Sequence, residues 1–155
     1  MRRPAVALIG ILLTACDSRV DQQSDRPGPR RVIVVGMDTV RSDHMGFLGH
    51  TGGLTPALDA VARDAIVFER AWAPAPRTRP SFRSATTGRW PIPGRQAPTL
   101  GALLGAQGFQ TAGFVANVQL SQELGFAEGF DTWVLDNMAT ADAQVDAALG
   151  WLRER

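Results

Sequence analysis

The stretch RVIVVGMD, residues 31–38, decides the fold that this sequence predicts. Residues 32–35 are four consecutive β-branched side chains. Such an unbroken run predicts a strand over residues 31–37 that is buried on both faces, as in a parallel sheet. Asp38 follows at the carboxyl end of this strand, which is where open α/β sheets bind their ligands. Two interpretations of Asp38 are open: a turn residue beside Thr39, and a metal ligand or base.

The rest of the chain alternates helix and strand patterns. Thr55 is a candidate N-cap with Pro56 at the first helical position, and Thr99 caps a second apolar-striped segment. The predicted elements are helices over residues 55–68, 99–108 and 140–155 and strands over residues 109–116 and 131–135. This alternation predicts an α/β fold with a parallel or mixed sheet that is covered by helices.

Composition excludes several classes of function. A length of 155 residues predicts one domain, and the net charge of +1 predicts no polybasic face for nucleic acid. All sixteen basic residues are Arg, so the chain cannot supply a lysine Schiff base. A single cysteine excludes a disulfide scaffold.

The N-terminus has the pattern of an export signal. Arg2 and Arg3 precede a short apolar run over residues 5–13, which ends in the sequence LTAC at residues 13–16. This pattern resembles a bacterial lipobox, and the alternative is an ordinary secretory peptide. We therefore predict a signal peptide over residues 1–15, lipidation of Cys16, and a flexible polar tether over residues 16–30.

The expected location follows from the same segment. Without residues 1–15 the chain has fourteen Arg and fifteen acidic residues, a net charge of −1. Electrostatic docking on anionic lipid is then disfavoured, and acyl chains are the expected anchor. The sequence thus predicts a membrane-anchored lipoprotein of the bacterial periplasm or cell surface.

Short motifs follow one another in a distinctive order. They are VIVVGMDTVRSDHMG at 32–46, TPALD at 55–59, VFE at 67–69, TRPS at 78–81, TG at 87–88, WP at 90–91, TL at 99–100, GFQTA at 108–112, GFD at 129–131 and ALGWL at 148–152. In this order the motifs resemble the opening of the sulfatase family, within the alkaline-phosphatase-like superfamily. The resemblance covers residues 31–155 and implies the N-terminal part of an alkaline-phosphatase-like α/β fold. It also implies a sulfate or phosphate ester substrate and a divalent metal, with Ca²⁺ expected and Mg²⁺ or Mn²⁺ as alternatives.

The resemblance places the catalytic nucleophile at Thr78, the first residue of the TRPS motif, and a metal carboxylate at Asp38. Hydrolysis of an anionic ester needs a hydroxyl-type nucleophile beside a hard cation, which lowers the pKa of the nucleophile and neutralises the ester oxygens. Carboxylate and hydroxyl oxygens suit such cations. We therefore expect Asp38 and Thr78 to share one metal site, with Thr78 near the N-terminus of a helix that has Pro80 in its first turn.

This chain departs from the family pattern at three positions. Family sulfatases carry a Cys or Ser, oxidised to formylglycine, where this chain has Thr78, so no formylglycine is expected. A Thr nucleophile resembles the phosphoethanolamine and lipoteichoic-acid transferases, which leaves a phosphotransferase as one alternative and a simple helix cap as another. Phe82 stands where the family has Arg, and Arg83 is rotated by about 100° around the helix, away from the site. Thr39 replaces the second residue of a frequent Asp-Asp pair.

The remaining polar and aromatic residues have structural interpretations. His44 and His50 are the two histidines, and we expect solvated or structural roles for both. Asp43 is expected in a turn or a salt bridge. The four Trp residues, at positions 72, 90, 133 and 151, are expected in core or edge packing.

The length of the chain is the largest departure. Family members run well beyond this point and supply further metal ligands and basic catalytic residues, and this chain ends inside a helical pattern. We expect a fragment that alone binds metal weakly and does not turn over, because one carboxylate and one hydroxyl cannot complete a calcium shell. A non-catalytic, membrane-tethered lipoprotein is the hypothesis from another class.

Overall fold

The computed structural model describes residues 31–92, 94 and 97–155. The signal peptide, Cys16 and the tether lie outside the described residues. The chain divides into two units, Met1–Met37 and Asp38–Arg155. In the described part of the first unit, residues 31–37 form neither helix nor strand, and Val35 is 75% exposed. The predicted strand over residues 31–37 is therefore wrong for this structure, because β-branched side chains favour extended backbone but do not by themselves provide a hydrogen-bonded neighbour.

The second unit has a mixed α/β architecture, which confirms the predicted fold class. Its helices are α1 (Pro56–Ala62), α2 (Thr78–Thr87), α3 (Leu100–Gly105) and α4 (Ala141–Arg153), and its strands are β1 (Ala112–Val115) and β2 (Thr132–Leu135). In the described residues, 3-10 helices lie at Ser42–His44, Gly46–Leu48, Val118–Leu120 and Gln122–Leu124. Within the described ranges, no helix has the length and apolar character needed to cross a bilayer.

The sheet in this unit consists of β1 and β2, which pair in parallel with Ala112 opposite Thr132 and Val115 opposite Leu135. Helix α4 contacts β1, where Gln144 Nε2 donates to the Val115 carbonyl oxygen at 3.3 Å. Both strands and the covering helix lie inside the ranges that the sequence predicts. A parallel pair brings the carboxyl ends of its strands to one edge, which is where ligands bind in such folds.

Thr99 joins α3 to the segment that precedes β2. The Thr99 side chain is 1% exposed, accepts from the Ala102 amide at 3.1 Å, and donates to the Glu128 carbonyl at 2.5 Å. The predicted N-cap is thus confirmed. Gly129 approaches the same turn with φ +78°, and a Cβ at this position would lie 2.3 Å from the Ala102 nitrogen. Only glycine fits between this loop and the helix.

Thr111 and Asp131 set the register of the two strands, since each lies directly before one of them. The Thr111 amide donates to Asp131 Oδ2 at 2.7 Å, and the Asp131 amide donates to Thr111 Oγ1 at 3.0 Å. Thr111 is buried, so these reciprocal bonds satisfy groups that water does not reach. The pair therefore fixes where β1 and β2 begin relative to each other.

Helix α1 is shorter than the predicted 55–68 and ends at Ala62. The apolar residues beyond it do not continue a buried stripe, since Ile66 is 84% exposed. Without a packing surface, helical periodicity alone gives little stability to these residues. The expected packing is also wrong for two of the four Trp residues, because Trp72 is 87% and Trp90 70% exposed.

The first motif is tied to α1 through two polar side chains. Thr55 Oγ1 accepts from the Gly46 amide and donates to Asp59 Oδ1, each at 2.9 Å, and the same carboxylate oxygen accepts from the Phe47 amide at 2.9 Å. A Cβ on Gly46 would lie 2.1 Å from Asp59 Oδ2. Residues 46–47 and the TPALD motif at 55–59 thus form one hydrogen-bonded junction.

Candidate functional site

Asp38 and Thr78 lie 40 positions apart in the chain and are brought together in the fold. Thr78 is the first residue of α2, with Pro80 in the same turn, and Asp38 lies in the turn that opens the second unit. Thr78 Oγ1 donates a hydrogen bond to Asp38 Oδ2 at 2.9 Å. The expected convergence of the two oxygens is therefore observed, with Thr78 half-buried and Asp38 exposed.

The backbone turns sharply directly after Asp38. Thr39 has φ +57°, and in the described part of the chain it is the one residue other than glycine with a positive φ. A β-branched residue rarely adopts this left-handed conformation. Such strained positions cluster at functional sites, and here the turn carries the Asp38 carboxylate.

The hydroxyl of Thr78 does not cap α2. The N-cap position belongs to Arg77, and the described residues provide no side-chain hydrogen bond to the first amides of the helix. The Thr78 hydroxyl instead donates to a carboxylate, which leaves its oxygen lone pairs for other partners. The helix-cap interpretation of Thr78 is therefore wrong.

Asn117 is a member of this site that the sequence reasoning missed. It follows β1 and forms the N-cap of the 3-10 helix Val118–Leu120, where its Oδ1 accepts from the Gln119 amide at 2.9 Å. Its Nδ2 donates to Asp38 Oδ2 at 2.8 Å. The signal was available, because Asn117 comes just after the carboxyl end of a predicted strand, the same rule that selected Asp38. We call Asp38, Thr78 and Asn117 the Asp38 cluster.

Two arginines of α2 differ in where their guanidinium groups lie. Arg79, next to Thr78, is exposed and donates from Nη2 to Gln119 Oε1 at 3.0 Å. Arg83 donates to the carbonyls of Leu124 and Gly125, the latter at 3.1 Å, and lies 4.2 Å above the Phe126 ring. As expected, Arg83 therefore faces away from the Asp38 cluster and serves packing.

The histidines lie in a separate polar group. Arg41 Nε donates to Asp43 Oδ1 at 2.9 Å, and this hydrogen bond holds the pKa of Asp43 well below its usual range. His44 Nδ1 lies 3.3 Å from the same oxygen, and the His44 and His50 rings stack at 5.5 Å. Asp43 is thus in an ion pair, as expected, and because the pair is exposed it contributes little to stability.

The oxygen donors of the Asp38 cluster suit a hard metal ion in kind. Asp38 Oδ1 accepts no hydrogen bond from the residues that the structure describes, and the Thr78 oxygen retains lone pairs. Their number is small, because Asn117 Oδ1 already accepts from Gln119. Across the described ranges, no three His, Cys, Asp or Glu side chains gather in a way that would hold a metal. The cluster therefore fits part of a coordination shell.

A surface depression lies away from these residues. It has a volume of about 400 Å³ and lies between α1 and the neighbouring 3-10 helix. Its lining residues are Gly46, Phe47, His50, Asp59, Ala62, Arg63, Val67 and Glu69. Neither Asp38 nor Thr78 lines this depression, which is therefore separate from the Asp38 cluster.

In this α/β unit, a carboxylate, a hydroxyl and an amide thus converge near the N-terminus of α2. The family model named Sulfatase matches residues 30–151 of the chain. The chain belongs to the sulfatase family, whose domain has the alkaline-phosphatase-like fold.

One curated relative is an "Ulvan-active sulfatase" from Formosa agariphila, which is 32% identical over 92 residues. The matched segment covers 58% of this chain but 18% of that relative, so the chain spans about a fifth of the relative's length. No solved structure matches the chain.

Proposed function

We propose that this chain carries the nucleophile of a metal-dependent sulfate ester hydrolase, with Thr78 as the attacking residue. The hydrogen bond of 2.9 Å from Thr78 Oγ1 to Asp38 Oδ2 is the observation that carries the proposal. It joins a hydroxyl to a group that accepts its proton, which is how a weak nucleophile is activated. Membership of the sulfatase family supports an anionic sulfate ester as the substrate.

The proton transfer in the proposed step uses two atoms that already lie in contact, Thr78 Oγ1 and Asp38 Oδ2. Thr78 Oγ1 bonds to the sulfur of the ester, the bond from sulfur to the leaving oxygen breaks, and the Thr78 proton passes to Asp38 Oδ2. The leaving oxygen takes a proton from water, and the hydroxide that this produces takes the proton from Asp38, which restores the carboxylate. The product is a sulfo-threonine at residue 78, and formylglycine has no part in this scheme because the position is not a Cys or Ser.

A divalent metal, Ca²⁺ by family resemblance with Mg²⁺ or Mn²⁺ as alternatives, completes the proposal. Asp38 and Thr78 are the residues that would hold it. When bound, the ion lowers the pKa of the hydroxyl and offsets the negative charge of the ester. Because these two side chains supply only a minor part of the six to eight oxygens that Ca²⁺ takes, we expect weak metal binding and no multiple turnover by this chain alone.

Phosphoryl transfer is the second candidate, and the identity of residue 78 favours it. Threonine is the nucleophile of the phosphotransferases that the sequence resembles, whereas sulfatases carry Cys or Ser. The same attack on phosphorus would give a phospho-threonine at Thr78. The activity on ulvan in the relative's name belongs to a protein of which this chain matches 18%, so we propose the ester class and no particular polymer.

We also propose that the protein works outside the cytoplasm on a lipid anchor, with residues 1–15 as the signal and Cys16 as the acylated residue. Palmitate labelling of the full chain in a bacterial host tests this. We expect label on the wild type and none on Cys16→Ser, and an unlabelled wild type contradicts the proposal.

Covalent trapping tests Thr78 directly. The full chain is incubated with p-nitrophenyl sulfate or p-nitrophenyl phosphate and Ca²⁺, quenched, and mapped by mass spectrometry. We expect an adduct on Thr78, abolished in Thr78→Val and retained in Thr78→Ser, and the substrate that gives the faster adduct separates sulfuryl from phosphoryl transfer. An adduct on another residue, or none, would refute Thr78 as the nucleophile.

A further inference from the structure

Asn117 is held at both ends of its side-chain amide. Its Oδ1 accepts from the Gln119 amide at 2.9 Å, and its Nδ2 donates to Asp38 Oδ2 at 2.8 Å. An amide has one accepting end and one donating end. The reverse orientation would place oxygen against a carboxylate and an NH₂ group against a backbone N–H. The backbone contact therefore selects the donating end for Asp38.

The segment that carries Asn117 is itself joined to α2. Gln119 Oε1 accepts from Arg79 Nη2 at 3.0 Å, and Arg79 directly follows Thr78. Residues 117–119, which follow β1, thus contact both Asp38 and the first turn of the nucleophile helix. This places the amide of Asn117 and the hydroxyl of Thr78 in a fixed relation to one carboxylate.

Two donors converge on the same oxygen of Asp38, at 2.8 Å from Asn117 and 2.9 Å from Thr78. Asp38 is exposed, and an exposed carboxylate with a single hydrogen bond changes rotamer readily, since the net stabilisation from one solvent-exposed bond is comparable to the rotamer entropy that it opposes. A second, charge-assisted bond restrains it. We infer that Asn117 is a positioning residue that holds Asp38 in the rotamer that faces Thr78, an inference that rests on the proposed function.

Two variants separate this role from the capping role of Asn117. Asn117→Ser keeps a good N-cap for the 3-10 helix but is too short to reach Asp38. Asn117→Asp keeps the size and the accepting oxygen, but it replaces the donor with a carboxylate that repels Asp38. Both variants are expected to fold, as judged by a melting temperature close to that of the wild type.

Two measurements on the full chain test the inference. In three-bond NMR couplings we expect Asp38 to occupy one χ1 rotamer in the wild type and to average over rotamers in both variants. We expect covalent labelling of Thr78 by p-nitrophenyl sulfate or phosphate to slow by roughly 10- to 100-fold, the range for loss of a residue that orients a ligand, with the half-saturating probe concentration unchanged.

The outcomes distinguish the inference from the proposed function. If the wild type is not labelled, the proposed function fails, and the couplings of Asp38 still decide whether Asn117 positions it. Unchanged Asp38 couplings in Asn117→Ser overturn the inference. A lowered melting temperature with unchanged couplings also overturns it, because Asn117 would then act only as a cap.

Discussion

Substitution of Thr99 tests how much of the stability of the second unit depends on one buried hydroxyl. Its oxygen accepts from the Ala102 amide and donates to the Glu128 carbonyl, and the side chain is 1% exposed. Thr99→Ala removes the cap of α3 and also leaves a carbonyl without its partner in a region closed to water. The two losses together predict a decrease of about 2–4 kcal/mol in the free energy of unfolding.

Thr140 provides a matched control in the same chain. It caps α4 through an Oγ1 that accepts from the Ala143 amide at 3.3 Å, but it is exposed. Thr140→Ala therefore loses a cap without orphaning a buried group, and we expect a decrease of about 0.5–1 kcal/mol. Thr99→Ser keeps the hydroxyl and removes one methyl group, which predicts a decrease of about 1 kcal/mol.

Urea denaturation followed by tryptophan fluorescence measures these differences. Trp133 is a suitable probe, since its ring lies 5.0 Å from Phe130, which packs on Gly101 at the start of α3. Midpoints are compared at unchanged slope, so that each shift reports stability. The reasoning is refuted if Thr99→Ala and Thr140→Ala shift the midpoint equally, because burial of the hydroxyl would then have no effect.

Three further predictions concern a glycine, an arginine and the metal. In Gly129→Ala the new Cβ would clash with the Ala102 backbone at a φ of +78°, so we expect the free energy of unfolding to fall by about 2–4 kcal/mol. Gly88 has φ +62° but open space around it, so Gly88→Ala should lower it by about 1 kcal/mol. Equal urea midpoints for the two variants would contradict this. Arg83→Met leaves two carbonyls without their charged donor and should cost about 1.5–3 kcal/mol without changing the extent of Thr78 labelling; slower labelling would instead place Arg83 at the site. In calorimetric titration of the chain with Ca²⁺ we expect affinity weaker than micromolar, lost in Asp38→Asn, and micromolar binding would show that the ligand shell is fuller than Asp38 and Thr78 provide.

Sequence rules that involve neighbouring residues predicted the features in which a side chain hydrogen-bonds to nearby backbone. Thr99 caps α3 because a hydroxyl placed before an apolar run has the α3 amides within reach. The parallel pairing of β1 and β2 followed from the alternation of elements along the chain. The contact of Asp38 with Thr78 was expected from the family resemblance, and it is present although the strand expected before Asp38 is not formed by residues 31–37.

Contacts that join distant segments could not be predicted from the sequence. Asn117 meets Asp38 across 79 positions, and the choice of this residue among other polar residues depends on how the turn after β1 directs its amide. Residues 31–37 have the composition of a strand but do not form one, since a strand needs a second segment to pair with and composition describes one segment alone. Ile66 illustrates the same limit for α1, because periodicity does not reveal whether a surface exists to cover it.

The junction of Gly46, Thr55 and Asp59 has a consequence for protein engineering and for divergence. A carboxylate fills the space that a methyl group on Gly46 would need, and the same carboxylate receives the next backbone amide. A larger residue at 46 therefore displaces the Asp59 carboxylate, which then loses its hydrogen bond from the Phe47 amide. The two segments should therefore vary together among related chains, and a chimera that exchanges one of them without the other should lose this junction.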